Sequence, residues 1–173
     1  MPSRHELYWG DCRDKLVSAV LLRTTLAASP LDQETALCLA RLQTLARKLA
    51  DLMGAMGLGQ VCAACAAKPN GGCCSRVIAD ENDALQLLMN LMIGVRVELR
   101  EMSGHECCFL GEAGCTLAFK PIFCLNYDCA AIKEGCDRGA YARYAELRGR
   151  LLQAQWSLEQ RLLRRLEELG VVH

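Results

Sequence analysis

The sequence predicts an all-α fold, an antiparallel helical bundle of about four main helices with two cysteine-rich metal-binding loops. Leucine and alanine recur at spacings of three and four residues along several segments. Aromatic residues, which favour strands, make up only 5% of the 173 residues. Hydrophobic residues amount to 52% and charged residues to 23%, an ordinary globular composition. A chain of this length can bury a substantial core, so we expect residues 1–173 to form a single domain.

The first predicted helix runs from about Asp11 to Ala28. Cys12, Leu16 and Val20 repeat every four residues along it and define an apolar stripe. Pro30 ends the segment, because proline cannot continue a helix. The stripe places Cys12 among buried residues, where we expect a plain structural thiol.

The second predicted helix starts after Asp32, whose carboxylate is suited to cap it. Its apolar stripe consists of Cys38, Leu42, Leu45, Leu49, Leu52 and Met56. It ends in the glycine cluster GAMGLG, since glycine readily takes the left-handed conformation that closes a helix. Cys38 is therefore also predicted to be a structural thiol.

Two more helices complete the predicted bundle. The third spans about Asp80 to Met102, with Arg96 and Arg100 near its end, as the helix dipole favours. The last runs from about Ala140 to Leu169, and its apolar stripe consists of Leu147, Leu151, Leu158, Leu162 and Leu169. Between these two helices we expect an irregular segment with at most short helical turns.

Charge and hydropathy exclude some classes of partner. The formal net charge is zero, so electrostatics gives no support for a nucleic-acid partner. The most apolar segment, ALQLLMNLMIGVRVEL, contains Gln86, Asn90 and Arg96 and is too short to span a membrane. We therefore expect a cytoplasmic protein with no membrane partner, in a compartment where thiols stay reduced.

The twelve cysteines point to metal binding rather than to disulfides, because clustered thiols in a reducing compartment are typical of metal sites. Most of them lie in residues 62–136. The first group occurs in CAACAAKPNGGCCS, which we expect to be a loop. Cys62 and Cys65 have the spacing with which a tight turn directs two thiolates at one ion. The adjacent pair Cys73 and Cys74 fits a dinuclear or multinuclear centre more easily, because neighbouring side chains of an extended chain point apart.

The second group lies in HECCFLGEAGCTLAFKPIFCLNYDCAAIKEGC. The combination CxxC…GGCC followed by CCFLGEAGCTLAFKPIFCLNYDC resembles the YkgJ-type zinc- or iron-chelating domain, also called the CxxCxxCC family. The resemblance covers about residues 62–130. That family usually has arginine where this chain has Lys120 and Leu125.

The resemblance implies metal chelation. A related cysteine pattern occurs in flagellin lysine methylases, which resemble iron–sulfur proteins, so an iron–sulfur-dependent protein-modifying enzyme is one alternative. The predicted metal ligands are Cys62, Cys65, Cys73, Cys74, Cys107, Cys115, Cys124 and Cys129. Cys108 and Cys136 stay undecided, His105 is expected to lie on a surface loop, and Asp128 could tune the site.

Eight thiolates could hold two zinc ions or one or two iron–sulfur clusters, with a slight preference for iron–sulfur from the adjacent pair. The predicted function is metal binding with a redox or metal-handling role. The remaining alternative is a structural zinc module that binds a protein partner. No catalytic residue follows from the sequence.

Overall fold

The computed structural model describes residues 2–68, 72–101 and 104–173, apart from the side chain of Ala131. Most of these residues are helical, and the predicted all-α class is confirmed at this level. The helices are α1 (Arg4–Tyr8), α2 (Cys12–Ala28), α3 (Gln33–Ala55), α4 (Leu58–Ala66), α5 (Arg76–Ala79), α6 (Ala84–Met92), α7 (Ile122–Asn126), α8 (Ala130–Glu134) and α9 (Arg138–Glu168). Two short strands, β1 (Leu110–Gly111) and β2 (Gly114–Cys115), form an antiparallel hairpin.

The core lies between the longer helices. Helix α3 packs along α9, α2 packs along α6, and α6 also contacts α9. Leucines from these helices are fully buried, among them Leu22, Leu42, Leu88, Leu151 and Leu158. Each such side chain contributes about 1.5–3 kcal/mol relative to an exposed position. The scaffold is therefore stabilised by apolar packing.

Aspartate caps fix where the long helices begin. Asp11, Asp32 and Asp137 each accept backbone N–H groups at the start of α2, α3 and α9. The predicted first, second and last helices are confirmed, with ends within two residues or so of the prediction. The predicted cap at Asp32 is confirmed as well.

The predicted third helix, from about Asp80 to Met102, is confirmed only in its middle part, and Met102 lies outside the described residues. Helix α6 begins only after the cap residue Asp83 and ends at Met92. Gly94 follows with a positive φ of 82°, and residues 95–101 have no regular secondary structure. The left-handed residue ends the helix, so Arg96 and Arg100 do not lie in its last turn.

The predicted loop for residues 62–75 is wrong in its first part, because Cys62 and Cys65 lie on helix α4. Gly57, in the left-handed conformation, separates α4 from α3, and the two helices are bent by 74°. Within the described ranges, no single helix is long and apolar enough to cross a membrane; α3 and α4 meet that length and composition only when taken together.

Residues 104–136 follow the prediction of an irregular segment with short helical turns. Their framework is the hairpin of β1 and β2 followed by α7 and α8, which have five residues each. The hairpin itself was not predicted. Its Thr116 N–H and hydroxyl both donate to the Phe109 carbonyl oxygen, at 2.9 and 3.0 Å, which holds the arms together.

Candidate metal centre

The two cysteine-rich segments meet in the folded chain. The Cys107 N–H donates to the carbonyl oxygen of Cys74 at 3.0 Å, and the Arg76 N–H donates to the carbonyl oxygen of His105 at 2.7 Å. Ser75 and Glu106 form an antiparallel bridge between them. Backbone hydrogen bonds thus align the segment that follows α4 with the segment that precedes β1.

A close glycine contact joins helix α4 to the hairpin. A Cβ atom on Gly59 would lie 2.0 Å from the carbonyl oxygen of Ala113, and one on Gly114 would lie 2.8 Å from the Gly59 Cα. Gly114 also has a φ of +107°, which favours glycine. The absence of side chains lets α4, with Cys62, approach β2, with Cys115.

Four of the predicted ligands line one small cavity of about 50 Å³. They come from three parts of the chain and are Cys62, Cys73, Cys74 and Cys124. The other walls are apolar or aromatic and include Leu58, Phe123, Tyr127 and Tyr144. Cys124 lies on the exposed helix α7, so the cavity is near the protein surface.

A tight turn explains how the adjacent cysteines reach the same cavity. The Ser75 N–H donates to the carbonyl oxygen of Cys73 at 3.0 Å, which closes a three-residue turn with Cys74 at its centre. Hydrogen bonding between the Cys73 and Cys74 side chains affects the pKa of both thiols. The chain at Cys73 and Cys74 is therefore not extended, and the two neighbouring side chains need not point apart. Their adjacency alone does not require a multinuclear centre.

The cavity thiols perturb one another's pKa values. Hydrogen bonding to Cys74 lowers the pKa of Cys62 to about 7 and that of Cys73 to about 6. The same hydrogen bonds raise the pKa of Cys74. Loss of hydration raises the pKa of Cys124 to about 12. The hydrogen bonds to Cys74 thus favour the thiolate form of Cys62 and Cys73, and thiolates are the form that binds metal.

Lys120 supplies positive charge to this region. Its charge acts to lower the pKa of Cys62, Cys115 and Cys124. It is partly buried and stands where the resembled family usually has arginine. The basic contact is therefore present as lysine.

The other four predicted ligands lie outside the cavity. Cys65 is on α4 and packs against Gly72, where a Cβ atom would be 2.9 Å from the Cys65 Sγ. Cys107 is buried next to Cys108, whose hydrogen bond lowers the pKa of Cys107 to about 7. Cys115, on β2, has its pKa raised by burial. Cys129 is partly buried just before α8, and its carbonyl oxygen accepts the N–H groups at 132 and 133.

A buried ion pair fixes the segment that carries Cys124 and Cys129. Both terminal guanidinium nitrogens, Nη1 and Nη2, of Arg148 on α9 donate to the carboxylate of Asp128. The Tyr141 hydroxyl also donates to that carboxylate, at 2.7 Å. The Arg148 guanidinium lies 5.0 Å from the centre of the Tyr144 ring, a cavity wall. Asp128 therefore positions the site from outside it.

Buried amides hold the chain just before Cys124. Asn90 on α6 donates to the carbonyl oxygen of Phe119 at 2.9 Å and accepts the N–H groups of Ala118 and Phe119 at 2.8 and 3.1 Å. Gln155 on α9 donates to the carbonyl oxygen of Lys120 at 2.9 Å. Asn90 and Gln155 thus connect the scaffold helices α6 and α9 to the chain that leads to Cys124.

Cys12 packs against the core as a partly buried thiol, and it has a thiol partner that the sequence does not predict. Cys12 is partly exposed at the first position of α2, and its Sγ lies 3.6 Å from the Sγ of Cys108. The two cysteines are 96 residues apart in the sequence, so no local sequence pattern predicts the contact. The thiol of Cys136 donates to the carbonyl oxygen of Ile132 at 2.9 Å, whereas His105 is exposed, as predicted.

Within residues 2–68, 72–101 and 104–173, no group of three or more His, Cys, Asp or Glu side chains has the arrangement of a metal site as it stands. The four cavity cysteines nevertheless supply the donor set of a tetrahedral thiolate site.

Comparison with known proteins gives no relative: no family model, no curated protein and no solved structure matches this chain. The resemblance of the cysteine pattern to the YkgJ-type domain therefore stays a prediction from the motifs. The function has to be argued from the site itself.

Proposed function

We propose that this protein binds a metal ion through the thiolates of Cys62, Cys73, Cys74 and Cys124. The observation that carries the proposal is that these four cysteines, from α4, the turn after it and α7, line a single cavity. Soft thiolates select zinc, copper(I) or iron–sulfur centres. A set of four is the complete ligand shell of a zinc ion or of one cluster.

The turn at Cys73 and Cys74 removes the argument for a multinuclear centre. The Ser75 N–H donates to the carbonyl oxygen of Cys73, so two adjacent thiols reach the same cavity. Four thiolates complete the tetrahedral shell of one zinc ion. Zinc is therefore the first expectation, and an iron–sulfur cluster is the alternative centre.

Metal handling is the role that the position of the site favours. Cys124, Phe123 and Tyr127 are exposed and belong to α7 or its cap, so an ion could enter or leave through movement of this short helix. Reduced thiols are required, which is why the proposal places the protein in the cytoplasm. We also propose that the four main helices form an antiparallel bundle, with the site on one side of it.

A second candidate function is a structural metal module that binds another protein. An open groove beside α2 supports it, because Val17, Val20 and Leu21 are exposed there and face Val97 and Leu99. Exposed apolar patches of this kind mark interaction surfaces. For such a module the metal would stabilise the fold, and removing it would lower the melting temperature.

Metal analysis of protein purified without air tests the proposal. We expect one zinc ion per chain and no acid-labile sulfide, with metal content lost in Cys73→Ala and in Cys124→Ala. Cys38→Ala, on α3 and away from the cavity, is the matched control and should retain its metal. Iron with sulfide and a visible charge-transfer band would identify the iron–sulfur alternative.

Equal metal content in all three variants would contradict the ligand assignment. Loss of metal from Cys73→Ala alone, with Cys124→Ala fully loaded, would place the site on the first cysteine segment only. Far-UV circular dichroism on each variant separates loss of the ion from loss of the fold.

A further inference from the structure

Cys12 and Cys108 form a pair of thiols apart from the four-cysteine cavity. Their Sγ atoms are 3.6 Å apart, and both residues are partly exposed. They line a separate, open cavity of about 450 Å³ in which no other cysteine takes part. The pair shares no residue with the proposed metal site, so it calls for a function of its own.

The backbone on both sides of the pair is fixed by hydrogen bonds. The Cys12 N–H donates to Asp80 Oδ1 at 2.8 Å, and the Lys15 Nζ donates to the Asp80 carbonyl oxygen at 2.5 Å. The carbonyl oxygen of Cys108 accepts the Arg100 N–H at 3.2 Å. Forming the bond requires the Sγ–Sγ distance to fall from 3.6 Å to about 2.05 Å.

We propose that Cys12 and Cys108 form a reversible disulfide by exchange with a low-molecular-weight peptide disulfide of the glutathione type. The Cys12 thiolate attacks one sulfur of the small disulfide and releases one small thiol, which takes up a proton. The Cys108 thiolate then attacks the Cys12 sulfur of the mixed disulfide and releases the second small thiol. Two protein thiols are oxidised, and one small disulfide is reduced to two thiols.

The position of Cys12 suits it to be the attacking thiol. It is the first residue of the 17-residue helix α2, where the helix dipole stabilises a negative charge. Cys108 is in a turn before β1 and lacks this stabilisation by a helix N-terminus. It therefore acts as the resolving thiol.

The charges around the cavity fit a small peptide that carries carboxylates as well as an ammonium group. Three arginines line it together with four acidic residues: Arg13, Arg76, Arg100, Asp11, Asp80, Glu101 and Glu106. The arginines can pair with the carboxylates of such a disulfide, and the acidic residues can pair with its ammonium group. An uncharged disulfide lacks both kinds of contact, so it should react more slowly.

Peptide mapping after oxidation tests the proposal. The reduced protein is incubated with oxidised glutathione, its free thiols are alkylated, and tryptic peptides are analysed by mass spectrometry. We expect residues 5–13 to be linked to residues 101–133 through a disulfide that dithiothreitol reverses, since trypsin does not cut between Lys120 and Pro121. The linked peptide should be lost in Cys12→Ser and in Cys108→Ser but kept in Cys107→Ser.

Two results would overturn the inference. One is a glutathione adduct on Cys12 with no linked peptide, and the other is a linked peptide of equal yield in Cys108→Ser. Hydroxyethyl disulfide serves as the uncharged comparison, and a rate equal to that of oxidised glutathione would overturn the assignment of the peptide class. The metal content of the same samples is a separate readout, so failure of the metal proposal leaves this test intact.

Discussion

The scaffold helices and the cysteine region are held together by different forces. In the scaffold, leucines such as Leu42, Leu88 and Leu151 are fully buried between long capped helices. In the cysteine region, short elements are held by backbone hydrogen bonds, a glycine contact and the Asp128–Arg148 pair. The difference teaches that the scaffold is stabilised by apolar burial, whereas the arrangement of the thiols depends on a few polar contacts.

Removing a core leucine should have the largest effect, and it should act on stability alone. Leu151→Ala leaves a cavity at a fully buried position of α9, which costs about 2–5 kcal/mol. Urea denaturation followed by circular dichroism measures the loss. Metal per folded chain should stay at the wild-type value, and a fall in it would mean that the two regions are not separable.

The pH dependence of the scaffold should be governed by Asp83. Burial raises the pKa of this α6 cap to about 7, so the folded chain binds a proton that the unfolded chain has lost between about pH 4 and pH 7. The stabilisation that comes from Asp83 is therefore fully present below about pH 4. It falls as the pH rises to 7, by up to about 1.4 kcal/mol per pH unit.

Asp83→Asn tests this dependence. The difference in unfolding free energy between the variant and the wild type should change in favour of the variant as the pH rises from about 4 to 7. A difference that is constant over this range would contradict the raised pKa of Asp83.

Breaking the Asp128–Arg148 pair should loosen the cysteine region specifically. In Arg148→Met the carboxylate keeps the hydrogen bond from Tyr141, so we expect a cost of about 2 kcal/mol rather than the roughly 3–5 kcal/mol of an isolated buried charge. Hydrogen exchange should speed up first in residues 122–134. The control is Arg150→Met on the same helix, where an exposed pair with Glu146 at 3.7 Å is worth less than about 1 kcal/mol.

Filling the glycine contact should disturb the site, whereas its control should have the smallest effect of all. Gly59→Ala places a Cβ atom 2.0 Å from the carbonyl oxygen of Ala113, so α4 has to move away from the hairpin, at a cost of about 1–3 kcal/mol. Zinc affinity, measured by competition with a chromophoric chelator, should fall. Gly149→Ala on α9 meets no atom within 4 Å and should raise stability by about 0.5–1 kcal/mol without changing affinity.

The sequence predicts the scaffold well because its signals are local. The aspartates at 11 and 32 mark where α2 and α3 begin. The stripes of the second and last helices contain buried leucines, whereas Val20 of the first predicted stripe is exposed. The third helix ends earlier than predicted, because its apolar pattern continues past Gly94 whereas the backbone takes a positive φ at that residue. Helix α4 was missed because its alanines and cysteines lie beside glycine and proline signals for a loop.

The sequence predicts that cysteines form the candidate site, but it does not predict which cysteines line the cavity. The two cysteine segments meet, yet only part of the predicted set lines the cavity, since Cys65, on the same helix as Cys62, packs against Gly72 instead. Cys12 and Cys108 approach each other across 96 residues of sequence. Contacts of this kind depend on how α2 packs against the rest of the fold, and residue spacing in the sequence does not predict them.

The central claim is that both cysteine segments contribute to one ion, and thiol footprinting tests it most directly. Metal-free and zinc-loaded protein are alkylated for a short time without air, and each cysteine is quantified by mass spectrometry. The account predicts that zinc protects Cys62, Cys73, Cys74 and Cys124 together, whereas Cys38 is labelled equally in both samples. Protection limited to residues 62–74, with Cys124 labelled at the metal-free rate, would contradict it.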